Sequence, residues 1–331
     1  MKTFACTFFA GLAVDAIGKE IPELAKYIRH NDYVVAQDGS GDFITIQDAI
    51  NSVRDFTPVP RVIHIKKGIY YEKVEIPSWK CDITLKGDGP EETLIYYDDY
   101  ASLRRMGTFR TYTLQIRGNR VTLENLTVEN RAGRVGQAVA LHVEGDCVAV
   151  RNCRLLGNQD TLFTGNENSR QYYDRCYIEG TTDYIFGPAT CWFDHCILHS
   201  KSDSYITAAS TPENHKNGYV FYKCNLTAAE GVVNVYLGRP WRPYASVVFL
   251  ECRMGKHIRP EGWHNWRNAA NEKTARYAEY ASAGEGADPE SRVSWSSQLD
   301  EDDVSLYIPE SVLGGDWFRK TCVESVYKKS S

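Results

Sequence analysis

Two aspartates stand in closely similar phrases, Gly157-Asn158-Gln159-Asp160-Thr161-Leu162-Phe163-Thr164-Gly165 and Thr181-Thr182-Asp183-Tyr184-Ile185-Phe186-Gly187-Pro188. Asp160 and Asp183 are 23 residues apart, and each precedes an apolar, strand-like run that ends in glycine. If that spacing is one turn of a repeating structure, the carboxylates face each other. Neighbouring carboxylates repel, so one keeps its proton to higher pH, and the pair can then offer an acid and an anion at the same pH. A purely structural surface would avoid such a pair or bind a cation with it. Two ordinary turn aspartates are the competing reading, disfavoured by the amides of Gln137 and Gln159 and by Arg239-Pro240-Trp241 further on.

The elements that must position these residues form a repeat. Val121, Leu123, Asn125, Leu126 and Val128 align with Val148, Val150, Asn152, Cys153 and Leu155. The frame returns at Tyr173/Cys176/Ile178, Phe193/Cys196/Leu198, Phe221/Cys224/Leu226 and Phe249/Cys252/Met254, with anchor steps of 27, 23, 20, 28 and 28 residues. Self-similarity at this period marks a solenoid, and units of short β-branched and aromatic runs without helical periodicity make it a coil of strands. The expected fold is all-β, a single-stranded right-handed parallel β-helix whose coils stack at the strand spacing of about 4.8 Å. Cys153, Cys176, Cys196, Cys224 and Cys252 then form an inward ladder of apolar thiols, with disulfides between neighbours as the alternative. Asp160 and Asp183 each fall seven residues after a ladder cysteine, and the same frame extends their column to Gln137, Asp203 and Asn234. The aromatics Tyr172, Tyr173, Phe193, Phe221 and Phe249 are expected in the core or its stacks.

The flanks read differently. Tyr33–Phe43 is a strand entering a Gly/Asp turn, and Ile46, Ala49, Ile50 and Val53 have helical spacing, which predicts a short N-terminal helical cap. Residues beyond Gly262 predict a last coil and a loop/helix tail, with one helix over Val304–Leu313. Met1-Lys2 and the apolar run to Val14 have the form of a signal peptide over residues 1–16, ahead of a β-helix domain over 31–331. The chain is then secreted or periplasmic. A chain of 331 residues that is 43% hydrophobic and 24% charged is an ordinary globular composition, and a net charge of −5 excludes a general nucleic-acid binder. The apolar run is too short to span a membrane. No Ser/His/Asp arrangement emerges from the histidines, which are expected mostly at surfaces and turns, and no Cys/His set has structural-zinc spacing.

Gly136-Gln137-Ala138-Val139-Ala140-Leu141, Gln159-Asp160-Thr161-Leu162, Asp183-Tyr184-Ile185-Phe186-Gly187 and Leu237-Gly238-Arg239-Pro240-Trp241 closely resemble the signature segments of pectin methylesterases, carbohydrate esterase family 8. The resemblance runs from Val34–Gly41 through Pro260-Glu261-Gly262-Trp263 to Ala278-Glu279-Tyr280. It implies a parallel β-helix that hydrolyses galacturonate C6 methyl esters in pectin, releasing methanol and pectate, without cofactor or metal. By matching positions, Asp183 would be the nucleophile and form an acyl-enzyme, and Asp160 the general acid and then base. Gln137 and Gln159 would bind the oxyanion, and Arg239 would hold Asp183 ionised. Trp241, with Phe186 and Phe163 beside it, would stack on sugar rings. The expected partner is pectin or homogalacturonan, bound by a monomer, with no nucleic acid or membrane.

Three rivals remain at this level. A related β-helix esterase or thioesterase acts on a different ester. A polysaccharide lyase would use Asp160, Asp183 and Asp203 as a calcium cluster. A non-catalytic β-helical carbohydrate-binding protein would have no need of an intact Gln137, Gln159, Asp160, Asp183 and Arg239.

Overall fold

The computed structural model describes residues 32–57 and 59–319, so the expected signal peptide lies outside the described residues. The chain winds through three sheets in which every strand pairing is parallel. The first has eleven strands, from Tyr33–Val35 to Ser297–Gln298. The second has eight, from Gly68–Tyr71 to Arg253–Met254, and the third seven, from Val74–Ile76 to Tyr236–Gly238. One coil consists of Arg170–Asp174, Tyr177–Gly180 and Ile185–Gly187, and the next of Thr190–Asp194, Ile197–Ser200 and Tyr205–Ala209. This is the parallel β-helix that the repeat predicts.

The corner between the first and second sheets explains the repeat's anchor. Asn125, Asn152, Arg175, His195, Lys223 and Glu251 all have φ between 47° and 56°, and each immediately precedes a ladder residue. A left-handed residue is disfavoured by about 1–2 kcal/mol outside Gly, Asn and Asp, so the neighbouring coils must hold it. Arg175 and His195 each donate their backbone N–H to the coil above, to Asp194 and Tyr222 carbonyls at 2.9 Å. The residue after the corner points inward. Leu126 and Cys153, Cys176, Cys196, Cys224 and Cys252 are at most 1% exposed, and all the cysteines among the described residues are free thiols. Cys176 Sγ donates to Val150 O at 3.3 Å and Cys252 Sγ to Phe221 O at 3.4 Å, each reaching the preceding coil. Burial holds the Cys153, Cys176 and Cys224 thiols protonated. The ladder is therefore a column of small hydrophobes with a weak donor, and the disulfide alternative falls.

Beside it runs an aromatic column. Tyr173, Phe193, Phe221 and Phe249 stack with centroids 4.6, 4.4 and 4.5 Å apart and interplanar angles of 10–13°. Tyr172 faces outward instead, under the C-terminal tail, with its ring 4.8 Å from Phe318.

The ends are capped as expected, with one correction. Helix α1, Ile46–Ser52, buries Ile46, Ala49 and Ile50 over the first coil and is capped by the Thr45 side chain, which accepts from Asp48 N. The single tail helix expected over Val304–Leu313 is two: α2 at Glu301–Val304 and α3 at Pro309–Leu313. Ile308 is extended, as the residue before a proline tends to be, and this separates them. Val312 and Leu313 of α3 pack on Tyr172, Trp192 and Val220 of the first sheet's outer face.

Phe221 sits mid-column between two rings. Phe221→Ala should lose about 3–5 kcal/mol of stability, measured by urea unfolding. A loss below 1 kcal/mol would mean that the ring column does not hold the coils together.

Candidate active site

The third sheet carries the chemistry. Leu162 pairs with Ile185, so Asp160 and Asp183, two residues before each, occupy equivalent positions in adjacent coils. Both are left-handed, with φ of 67° and 49°, at the corner between the second and third sheets. Asp160 N donates to Thr182 O at 3.1 Å and Asp183 N to Tyr205 O at 2.8 Å, which locks each corner to the coil above. Both side chains are largely buried, with residue exposures of 7% and 6%.

The rest of the predicted column is displaced. Gln137 forms a bridge with Gln159 rather than with Asp160, so the two amides lie side by side one step along the strand. Asp203 does not continue the carboxylates. Ile185 pairs with Thr207, and the equivalent of Asp183 is therefore Tyr205. The corner is two residues longer in that coil, which moves Asp203 out to an exposed position. There its Oδ1 accepts from Val233 N at 2.8 Å and Asn234 N at 2.9 Å, bonds that hold its carboxyl below the usual range. Asp203 is a clasp between corner loops, and the calcium cluster that a lyase would require is not formed.

Arg239 arrives from two coils away. It follows Tyr236–Gly238, and in register Ala208 separates it from Phe186. A methyl at that point leaves room for the guanidinium to reach back. A side chain at Gly238 would collide with the Thr207 hydroxyl, so only glycine lets this strand approach. Arg239 Nε donates to Asp183 Oδ1 at 2.9 Å and its terminal nitrogen to Oδ2 at 2.6 Å, a two-point ion pair.

A cleft of about 310 Å³ brings together Gln137, Gln159, Asp160, Asp183, Phe186, Arg239 and Trp241. Phe163 is not in its lining. It is buried behind Phe186 at 4.9 Å, propped by the edge of His142 at 4.7 Å. His142, from a class expected at surfaces and turns, is itself only 1% exposed.

The electrostatics separate the two acids. Burial, reinforced by the charge of Asp183, pushes Asp160 well above the ordinary carboxylate range, against a weaker pull from Arg239. Burial also raises Asp183, but the hydrogen bonds and charge of Arg239 oppose it directly. Asp160 is raised the further of the two, and only Asp183 has a cation bonded to it that favours its ionised form. Two buried carboxyls of unequal acidity, one of them gripped by an arginine, and two amides on a single cleft suit acyl transfer.

The pectinesterase family profile matches residues 32–316. The chain belongs to the pectinesterase family. It is 40% identical over 288 residues to Pectinesterase 31 of Arabidopsis thaliana, covering 84% of this chain and 90% of that protein. Among solved structures, the pectin methylesterase from carrot superposes with a TM-score of 0.82 at 31% identity, over 86% of this chain and 93% of that one. The deglycosylated enzyme from Aspergillus niger gives 0.78 at 29% identity, over 87% and 95%. The family makes this chain a carboxylic ester hydrolase.

Four residues that line the cleft escaped sequence reasoning. Thr108, Phe109 and Trp266 line the cleft from loops outside the repeat, and Ala208 lines it from within a strand. Phe109 is 47% exposed and gave no pattern. Trp266 lies in the run Gly262-Trp263-His264-Asn265-Trp266, whose aromatic density was its one signal.

The elevation of Asp160 makes a stability prediction. A carboxyl whose folded pKa lies above its unfolded value stabilises fully below the unfolded pKa, and that contribution is lost as pH rises toward the folded pKa. Asp160→Asn removes the penalty of a buried ionisable group. The variant should therefore gain thermal stability over the wild type at pH 8 and show less gain at pH 4, read from melting temperatures. A pH-independent difference would contradict the raised pKa.

Proposed function

We propose that this chain demethylates pectin through a covalent intermediate on Asp183. The observation that carries the mechanism is the pairing of a gripped anion at Asp183 with a buried, protonated Asp160 in one cleft. Family membership and the pectin methylesterase neighbours support the substrate class.

A carboxylate oxygen of Asp183 attacks the C6 ester carbonyl. The carbonyl oxygen gathers negative charge, and Gln137 and Gln159, which line the same cleft, are its amide donors in this reading. The bond from the acyl carbon to the methoxy oxygen then breaks, and Asp160 gives its proton to that oxygen, so methanol leaves. The remaining species is an anhydride between Asp183 and the galacturonate. Asp160, now anionic, takes a proton from water, and the resulting hydroxide attacks the galacturonyl carbon. Asp183 leaves as a carboxylate, Asp160 is again protonated, and the product leaves as galacturonic acid, which gives its proton to solvent. Asp160 needs a pKa high enough to hold a proton in the first half and supply a base in the second, which its burial provides.

Phe186 and Trp241, with centroids 5.9 Å apart, offer apolar faces to a sugar ring beside the reacting carbonyl. An enzyme that acts on a cell-wall polymer works outside the cytoplasm.

Asp183→Asn should reduce methanol release from highly methylated pectin to background while circular dichroism stays native. Gln159→Ala should lose roughly 10²-fold in rate. The same assay with small methyl esters and thioesters should show a strong preference for the polymer. Wild-type-like release by Asp183→Asn would remove that residue as nucleophile, and release of an ultraviolet-absorbing unsaturated product would indicate lyase chemistry instead.

A further inference from the structure

Arg239 is held by more than Asp183. The Tyr205 ring lies on one side of its guanidinium carbon, 4.0 Å to the centroid, and the Trp266 ring lies 3.7 Å away. Behind Tyr205, the Tyr236 ring is stacked at 5.2 Å and 12°. Arg259 closes the far end, 4.8 Å from the Tyr236 centroid and itself paired with Glu261. Cations and rings thus run in one file, Arg259, Tyr236, Tyr205, Arg239 and Trp266, from a corner loop to the reacting carboxylate.

The file follows from local structure. Tyr205 and Tyr236 are register partners on adjacent strands, in the column where Asp183 stands one coil earlier. Trp266 is delivered by a loop with two successive left-handed residues, Trp266 and Arg267, at φ of 58° and 57°. Trp266 N donates to His264 Nδ1 at 3.0 Å and Arg267 N to Asn265 Oδ1 at 2.8 Å, which fixes that loop. Trp266 also lines the cleft, but Tyr205 does not, so Tyr205 is the residue whose effect is separable from sugar contact.

We propose that Tyr205 is a positioning residue for the reaction: its ring, backed by Tyr236 and opposed by Trp266, holds the Arg239 guanidinium in the orientation that grips Asp183. A planar guanidinium gives two parallel hydrogen bonds to a carboxylate only when it is coplanar with it, and ring faces restrict the rotation that would break one of them. The contact also offsets part of the desolvation of the cation. Fixing Arg239 fixes the attacking oxygen of Asp183, on which an aligned approach to the ester depends. The inference rests on Asp183 as the nucleophile.

The charged and titratable groups around Asp183 are Arg239, Asp160 and the buried Tyr277 hydroxyl. His264 faces Arg239 from the loop, along with Arg267 and Arg259, and burial and these cations lower its pKa. With a loosened Arg239, burial acts on Asp183 less opposed, and the acid limb of activity moves to higher pH.

The test compares Tyr205→Leu and Tyr205→Phe with the wild type on methylated pectin, alongside Asp183→Asn and with thermal unfolding as a fold control. Tyr205→Leu should lower kcat roughly tenfold, leave KM within about twofold and shift the acid limb upward. Tyr205→Phe, which keeps the ring, should restore all three. The proposal is overturned by a Leu variant with wild-type kcat and pH profile. It is overturned equally by a rise in KM alone, which would make Tyr205 a substrate contact, or by a Phe variant as impaired as Leu, which would assign the effect to the hydroxyl. An active Asp183→Asn would instead sink the nucleophile assignment.

Discussion

A carboxylate that is 8% exposed in its side chain must find a partner or take up a proton, and Asp183 finds Arg239. That contact spans two coils, and much of the third sheet is arranged to allow it. Gly238 lets its strand close on Thr207, and Ala208 leaves the space that Phe186 fills one coil earlier. Asp160, lacking such a partner, is left on the other side of the split. In the proposed mechanism the acid–base division is set by which coil supplies the arginine, since the two aspartates have nearly the same backbone setting.

Legibility in the sequence followed the same geometry. The fold was readable because each coil repeats one corner: a left-handed residue, then a buried anchor, then an alternating strand. Cys153 and Cys176 carried that signal, and with constant corner length it placed Asp160 and Asp183 correctly. Counting failed where the corner length changed. The two extra residues before Tyr205–Ala209 put a tyrosine where the frame expected Asp203, and Gln137 moved from Asp160 to Gln159 for want of the same constancy. Only backbone pairing, which the sequence does not display, fixes register in such loops.

Arg239 and Trp241 lie outside any repeat argument and were readable through resemblance alone. Phe109 and Trp266 were not readable at all as site residues, because their position depends on loops whose own turns bring them over the cleft. The stack on Arg239 combines both cases. Tyr205 and Tyr236 are placed by strand register, whereas Trp266 is placed by a loop, and no local pattern links them.

The backbone and the chemistry ask for the same residue type at two positions. The corners at 160 and 183 need φ near 50–70°, a region that aspartate and asparagine enter more readily than most side chains. The reaction needs carboxylates there. At the opposite corner, where no chemistry is required, the left-handed positions are filled by Asn, Arg, His, Lys and Glu, so the fold alone does not demand aspartate. Replacing either aspartate by alanine would change the backbone energy along with the function. Replacement by asparagine keeps the corner and removes only the ionisable carboxyl, so a loss of activity in that variant reports on the carboxyl itself.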